Sequence, residues 1–291
     1  MIRFDHFLPS YSVYDLAKSW LLEDSASIDV GGAIVGCDTA YATFYCKQTC
    51  KLAGEPFVDA IFDRLNCKTV WIYYDGADIK IDDANPMVEL GHVTGPIRNI
   101  LQGERVALNC LTRLSGVATG VGKIKRVTNS VNWTGKIACT RKTTPGFRIA
   151  EKYAVLVGGG DPHRYDLTGS MVMIKDNHID AVGGIKKTIE KAKSIKSFSQ
   201  MIEVESRNEE EACEAVESGA DVVMLDNFEP EEAVRVANRL KGLRPNVIVE
   251  ASGGISRDNI TKYCSSDIDV ISLGSLTQGY DCIDISLKVV R

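Results

Sequence analysis

The chain has 291 residues, 44% of them hydrophobic and 25% charged, with a formal net charge of −5 at pH 7. That length accommodates two packed units with full cores, and the negative balance excludes a general nucleic-acid binder, so any basic site has to be local. Nine cysteines, odd in number and without paired metal-ligand spacing, read as thiols of a reducing compartment.

At the N-terminus, MIRFDHFLPS carries Arg3 and Asp5 with no apolar core behind them, so it does not read as a secretory signal. No later apolar run reaches membrane-spanning length. A cytoplasmic protein is predicted, nuclear presence left open, with neither membrane nor nucleic acid as partner. A helix is expected from Asp15 to Leu22, with Leu16 and Trp20 on one side. GGAIVGC, ATFYCKQ and TVWIYY read as short strands, and Pro56 opens the helical pattern PFVDAIFDRLN in the first-turn position proline favours. The strand VELGHVTG then leads into a long helix, ERVALNCLTRLSGVATGVGKIKRV, whose small residues imply close packing. These mixed elements make an α+β unit.

From Lys136 onward the pattern becomes βα repetition. The strands are KIACT, MVMIK, MIEVE, DVVMLD, VIVEAS and DVISLG, separated by helical stretches such as IKKTIEKAKSI, EEEACEAVESG and PEEAVRVANRLKG. Successive short crossovers of this kind imply parallel strands. Each strand ends in, or runs into, polar or glycine-rich residues: Arg141-Lys142, Lys175, Glu205, Asp226, Ser252-Gly253-Gly254 and Gly274. In a β/α barrel those ends form one rim around a ligand. Six strands rather than eight make the barrel incomplete, an open doubly wound sheet being the other arrangement. The GGG at Gly158 to Gly160 reads as a helix stop.

Arg105, Arg141, Lys142, His163, Arg164 and Lys175 are six groups that are cationic or can become so, which points to an anionic ligand. The planar fork of arginine suits carboxylate and phosphate, and lysine adds a compact charge. Alone, each is an ordinary solvated cation, the preferred reading for an isolated Arg105; strand-end placement sets Lys142 and Lys175 apart. A desolvated Lys175 can also form a Schiff base, although the arginines around it equally suit a polyanion clamp. His178, in KDNH, is either catalytic or a loop anchor, while His6 and His92 read as structural. Glu203 and Glu205 share the strand face opposite Ile202 and Val204, which in a barrel is the interior. Glu205 is nearer the strand end and better placed to reach a ligand; Glu203 can simply hold a neighbouring lysine. Glu205 and Asp226, at adjacent strand ends, suit Mg2+ and sugar hydroxyls, or ion pairs to the same lysines. Ser252-Gly253-Gly254, before an expected helix start, and Gly274 in LGSLTQG offer backbone N–H groups to a phosphate.

In this order, TRKTTPG, HRYDL, MVMIKDNH, IEVE, VMLDNF, EASGGI and DVISLG resemble the motifs of the quinolinate phosphoribosyltransferases. GEPFVDAIF and GERVALN extend the likeness, in a eukaryotic-like form, over nearly the whole chain. The resemblance implies an N-terminal α+β open-faced sandwich domain over residues 1–115, joined by 277–291, and an incomplete six-stranded parallel β/α barrel carrying the site over 116–276. It implies phosphoribosyl transfer from phosphoribosyl pyrophosphate (PRPP) to quinolinate with decarboxylation, giving nicotinate mononucleotide, pyrophosphate and CO2 in NAD synthesis, with Mg2+ required. By motif, Arg141, His163, Arg164 and Lys175 bind the quinolinate carboxylates, with Arg105 supplied by a neighbouring subunit. Lys142 lies between quinolinate and pyrophosphate, Glu205 and Asp226 hold ribose and metal, the latter through water or PRPP, and Ser252, Gly253, Gly254 and Gly274 cup the 5′-phosphate. Lys142, Lys175, Glu205 and Asp226 are the implied catalytic group. Self-association as a dimer or a hexamer of dimers is implied, one subunit's N-terminal domain capping another's barrel. YDLTGSMVMI departs from the family pattern by one added residue, which bears on the spacing of Arg164 and Lys175.

Three rivals remain at this point. A nicotinate phosphoribosyltransferase handles a single carboxylate, which does not require so many cations. A Schiff-base aldolase would use Lys175, and a non-catalytic metabolite-binding subunit would have no use for acids beside the cations.

Overall fold

The computed structural model describes residues 4–25, 27–167, 169, 171–279 and 281–290. Arg3 lies outside the described residues, as do Thr168 and Ser170 of the segment with the added residue. Two compact units are present: Met1–Gly122 with Ile149–Gly159 and Gly279–Arg291, and Lys123–Arg148 with Gly160–Gln278.

The first helix, α1 (Ser10–Asp24), starts one turn earlier than the sequence pattern indicates. GGAIVGC is not a strand but the short helix α2 (Val30–Val35). Its apolar run suggested a strand, but the Asp29 carboxylate accepts from the Gly32 N–H at 2.7 Å and caps a helix, and Gly36, at φ 73°, ends it. Then follow β1 (Thr39–Cys46), β2 (Cys50–Lys51), α3 (Glu55–Arg64, with Pro56 in its first turn), β3 (Lys68–Trp71), β4 (Asp78–Ile79), β5 (Val88–Pro96) and the 34-residue α4 (Ile97–Ser130). α3 has no side-chain cap of its own, since Gly54 precedes it. Asp75 substitutes: its carboxylate accepts from the N–H groups of Gly54 at 3.0 Å and Glu55 at 3.1 Å, and from the Tyr153 hydroxyl at 2.6 Å. Burial pushes the Asp75 carboxyl up to about 6, and burial followed by repulsion from Asp75 pushes Glu55 up to about 7.

The parallel sheet is built from β6 (Lys136–Cys139), then, after α5 (Arg148–Val157), β7 (Met171–Ile174), α6 (Asp176–Val182), α7 (Ile185–Ile195), β8 (Met201–Ser206), α8 (Glu209–Ser218), β9 (Val222–Asp226), α9 (Pro230–Leu243), β10 (Ile248–Ser252) and β11 (Val270–Leu273). Its order is β6-β11-β10-β9-β8-β7, parallel throughout. The first strand therefore pairs with the last, and the break in the six-stranded barrel falls between β6 and β7. The helix expected after EASGGIS is absent; that stretch makes only the 3-10 turn Ile260–Tyr263. Local side-chain bonds compete with helix there, the Ser256 N–H donating to Asn259 Oδ1 at 2.8 Å and Asn259 Nδ2 to the Gly254 carbonyl at 3.1 Å.

The last strand, β12 (Ile285–Val290), returns to the first unit and completes a second, antiparallel sheet, β12-β1-β5-β3. Phe44 on β1 stacks on Trp71 at 5.2 Å between ring centres and meets Phe62 of α3 edge-on at 6.1 Å. Phe44, Phe57 and Phe62 are fully buried, and truncating any of them to alanine is expected to cost about 3–5 kcal/mol. Gly103 of α4 lets that helix close on Phe62, because a Cβ there would lie 2.7 Å from the ring. No helix among the described residues is long and apolar enough to cross a membrane.

Candidate active site

Alternate residues of each barrel strand point inward, and the interior changes character along the strands. At the N-terminal ends it is mostly apolar, with Met171, Met201, Val222, Ile248 and Val270; at the C-terminal ends stand Lys175, Glu205, Asp226 and Ser252. Each end holds a cavity. The wider one, about 690 Å3 at the N-terminal ends, is lined chiefly by apolar groups and Trp133. The other, about 400 Å3, gathers Arg141, Lys142, His163, Arg164, Lys175, Glu205, Asp226 and Ser252. Chemistry belongs to the smaller cavity, because the charged strand ends are there.

One side of this cavity is basic. The Arg164 side chain is buried at 8% exposure and donates from Nη2 to Met173 Sδ at 2.8 Å. Its guanidinium is held below its ordinary range by burial and by the nearby Arg141, despite the opposing pull of Glu203. Two guanidiniums kept close enough to disfavour each other are relieved by an anion, above all by one with two carboxylates. The Nε atoms of both arginines are buried without hydrogen-bond partners among the described residues. His163 has its ring Nε2 3.0 Å from Glu250 Oε2.

The other side mixes signs. Lys175 Nζ is hydrogen-bonded to Glu205, an ion pair joining β7 to β8. An ammonium engaged by a carboxylate has no free lone pair, which weighs against the Schiff-base reading. The Asp226 carboxyl is raised by burial and then by Glu205, partly offset by Asn227, Lys175 and Lys142. Two carboxylates that repel across neighbouring strands are a fit for a cation or for hydroxyl donors. His178 anchors its loop, for its Nδ1 accepts the Lys175 N–H at 3.1 Å, and the ring also lines the cavity.

The glycines are fixed by contact and conformation. Gly253 has φ 89°, and a Cβ on it would lie 2.3 Å from Asn227 Oδ1. Gly254 is also left-handed, at φ 63°, and faces open space. Gly274 lies beside Lys142, where a Cβ would meet the lysine Cδ at 3.0 Å. Lys142 is held by its backbone, its N–H donating to Thr140 Oγ1 at 3.0 Å and its carbonyl accepting from Thr277 Oγ1 at 2.8 Å.

Arg105 is exposed on α4 and is not among the side chains lining the cavity. Glu203 makes no ion pair with a lysine among the described residues: it is fully buried, and its charged neighbours are Glu250, Arg164 and Lys175. Burial and then repulsion from Glu250 raise its carboxyl well above the usual range, with Arg164 opposing. Sequence reasoning missed Glu250 and Ser272. Both were within reach: Glu250 is two residues before Ser252 on β10 and so faces the same way, and Ser272 pairs with Ser252 in register, donating to its Oγ at 2.9 Å.

Residues 29–115 match the profile described as quinolinate phosphoribosyl transferase, N-terminal domain, and residues 117–288 match that of the C-terminal domain. The chain belongs to the quinolinate phosphoribosyl transferase family. It is 47% identical over 282 residues to the carboxylating nicotinate-nucleotide pyrophosphorylase of Rattus norvegicus, covering 97% of this chain and 92% of the relative. The Dictyostelium discoideum protein of the same name is 46% identical over 300 residues, covering all of both chains. Among solved structures, the nicotinate-nucleotide pyrophosphorylase from Francisella tularensis superimposes with a TM-score of 0.88 at 33% identity, again over all of both chains. The family fold, an incomplete six-stranded parallel barrel with a separate antiparallel-sheet domain, is the fold described above.

Proposed function

We infer that this chain transfers phosphoribose from PRPP to quinolinate and decarboxylates the product, forming nicotinate mononucleotide, pyrophosphate and CO2 in NAD synthesis. The observation that carries this reading is Arg141 and Arg164 sharing one cavity with Glu205 and Asp226. A ligand with two carboxylates suits the first pair, and a sugar with hydroxyls suits the second. Arg141, His163, Arg164 and Lys175 are assigned to the quinolinate carboxylates, and Lys142 to the space between the ring and pyrophosphate. Ser252, Gly253, Gly254 and Gly274 are assigned to the 5′-phosphate, with the tight approach at Gly253 supporting a backbone cradle.

As the bond from ribose to pyrophosphate breaks, positive charge develops on the sugar beside Glu205 and Asp226, and Lys142 meets the leaving charge. The pyridine nitrogen attacks the anomeric carbon, and when the adjacent carboxylate leaves as CO2 the bonding pair stays on the ring carbon as a carbanion stabilised by the neighbouring cationic nitrogen. A proton then replaces it on the ring, with Lys175 or Lys142 stabilising the intermediate carbanion. Glu205 and Asp226 are the residues that would hold Mg2+, directly or through water or PRPP, and the ion would supply neutralising charge to the pyrophosphate.

The reading extends to a homo-oligomer, dimer or hexamer of dimers, in which Arg105 reaches the cavity of a neighbouring copy; its exposure on α4 supports this. A cytoplasmic location is supported by nine cysteines standing as free thiols. The test is release of CO2 from carboxyl-labelled quinolinate with PRPP and Mg2+, nicotinate serving as the competing acid; turnover of nicotinate alone would refute the assignment. Mixing Arg105→Ala with Lys175→Ala protein is expected to restore part of the activity that each lacks. Continued inactivity after demonstrated subunit exchange would refute sharing.

A further inference from the structure

His163 is held in an uncommon backbone state. Its φ of 52° lies in the left-handed region, which a residue with a Cβ occupies only when its surroundings over-determine it. Two acids fix it there. Asp161 Oδ1 accepts the His163 backbone N–H at 2.8 Å, and Glu250 Oε2 lies 3.0 Å from the ring Nε2. Asp161 is itself anchored beside β6: its N–H donates to the Ile137 carbonyl at 2.7 Å, its carbonyl accepts the Cys139 N–H at 3.1 Å, and its carboxylate pairs with Lys136 at 3.0 Å. The chain thus adds a single parallel bridge, Ala138 to Asp161, to the edge of the sheet. From that edge His163 reaches Glu250 on β10, two strands away.

The layer around this contact is buried and carries ionisable groups. Glu203 is 0%, Glu250 2% and Arg164 8% exposed, yet both oxygens of Glu203, Oε1 of Glu250 and Nε of Arg164 lack hydrogen-bond partners among the described residues. Both acids act electrostatically on Arg164, while burial and repulsion from Glu250 favour the protonated form of Glu203. His163, Arg164 and Glu250 line both cavities and form the floor of the smaller one.

We propose that Asp161 and Glu250 are positioning residues for quinolinate: acting through His163, they fix the angle at which the imidazole meets a substrate carboxylate. With Nε2–H donating to Glu250, Nδ1 is the ring atom left for the ligand, and it donates to a carboxylate in the imidazolium form. Glu203 and Glu250 also hold Arg164 in place before substrate arrives. The proposal rests on the assignment of His163 and Arg164 to the quinolinate carboxylates. It separates the two substrates, because PRPP is assigned to other strand ends.

The experiment is steady-state kinetics on full-length Glu250→Gln, Asp161→Ala and Asp161→Asn proteins, each checked for an unchanged unfolding temperature. Glu250→Gln is expected to raise KM for quinolinate about tenfold, with KM for PRPP and kcat within about twofold. Asp161→Ala should behave likewise, and Asp161→Asn, which retains an acceptor for the His163 N–H, should recover most of the loss. In a His163→Gln background, Glu250→Gln should add little. An unchanged quinolinate KM, a parallel rise in the PRPP KM, or additive effects in the double variant would each overturn the proposal. If Arg141→Lys and Arg164→Lys also leave the quinolinate KM unchanged, the substrate assignment fails first; if they raise it while Glu250→Gln does not, only the positioning role falls. His163, Glu203 and Glu250 also bring one donor atom each within 4.8 Å of one another. Stoichiometric metal in the purified protein, lost in Glu250→Gln, would therefore overturn positioning in favour of a metal site.

Discussion

Buried carboxylates occur in pairs in both units, and the two pairs are kept in opposite ways. Glu55 and Asp75, in the first unit, sit among other acids, Asp59 and Asp5 included, and are stabilised by backbone N–H groups and the Tyr153 hydroxyl. Glu203 and Glu250, in the barrel, face Arg164, and His163 lies against Glu250. Where the task is to cap a helix, neutral donors and a retained proton suffice. Where the task is to present cations to a ligand, a proton is again favoured on one acid, Glu203, but the pair stands beside positive charge instead of other acids and helix N–H groups. A buried acid is therefore best classified by what neutralises it.

The comparison breaks most sharply at Arg164. Arg164→Ala leaves two buried acids without their neighbouring cation and is expected to lower unfolding free energy by about 3 kcal/mol and kcat/KM for quinolinate by about a thousandfold. Denaturant unfolding and CO2 release measure the two effects; loss of activity with stability intact would show that the acidic pair does not depend on its cation. Lys142→Ala provides the contrast, because this residue is exposed. It should cost about a hundredfold or more in kcat with no change in unfolding.

In the first unit the expected effects reverse. Tyr153→Phe removes a donor to Asp75 and should destabilise by about 1–2 kcal/mol while leaving KM and kcat alone. The smallest effect is expected for Glu55→Gln and depends on pH. Because the folded-state value, about 7, lies above the usual 4.5, Glu55 favours folding below pH 4.5, and that contribution is lost as pH rises through 7. Thermal unfolding should therefore show Glu55→Gln near wild type at pH 4 and more stable, by about 1 kcal/mol or less, at pH 8. A stability gain at pH 4 instead would refute the raised value.

The barrel was legible because each of its strands pairs an apolar run with a polar stop, and α7, α8 and α9 repeat at helical spacing. α2 was not, since GGAIVGC carries a strand-like run and the deciding group, Asp29, precedes it. The expected helix after EASGGIS failed for a similar reason, the side chains of Ser256 and Asn259 satisfying the backbone locally. Strand-end cations and acids could be named from their positions, and the structure brings all but Arg105 around one cavity. Glu250 was passed over because it sits one layer below the rim, where strand ends give no signal. Its importance emerges only when Asp161 turns the chain and carries His163 over it.

The order β6-β11-β10-β9-β8-β7 leaves the barrel unzipped between its first and second strands, and the connection across that gap carries Arg141, Lys142, His163 and Arg164. These four residues thus stand on a connection tied to the strand ladder only where Asp161 bridges Ala138, among the described residues. An inserted residue within a strand would turn every later side chain to the wrong face, whereas in this span it adds far less than the roughly 0.6 kcal/mol that doubling a loop costs. A change of spacing at the seam therefore leaves the register of the sheet intact.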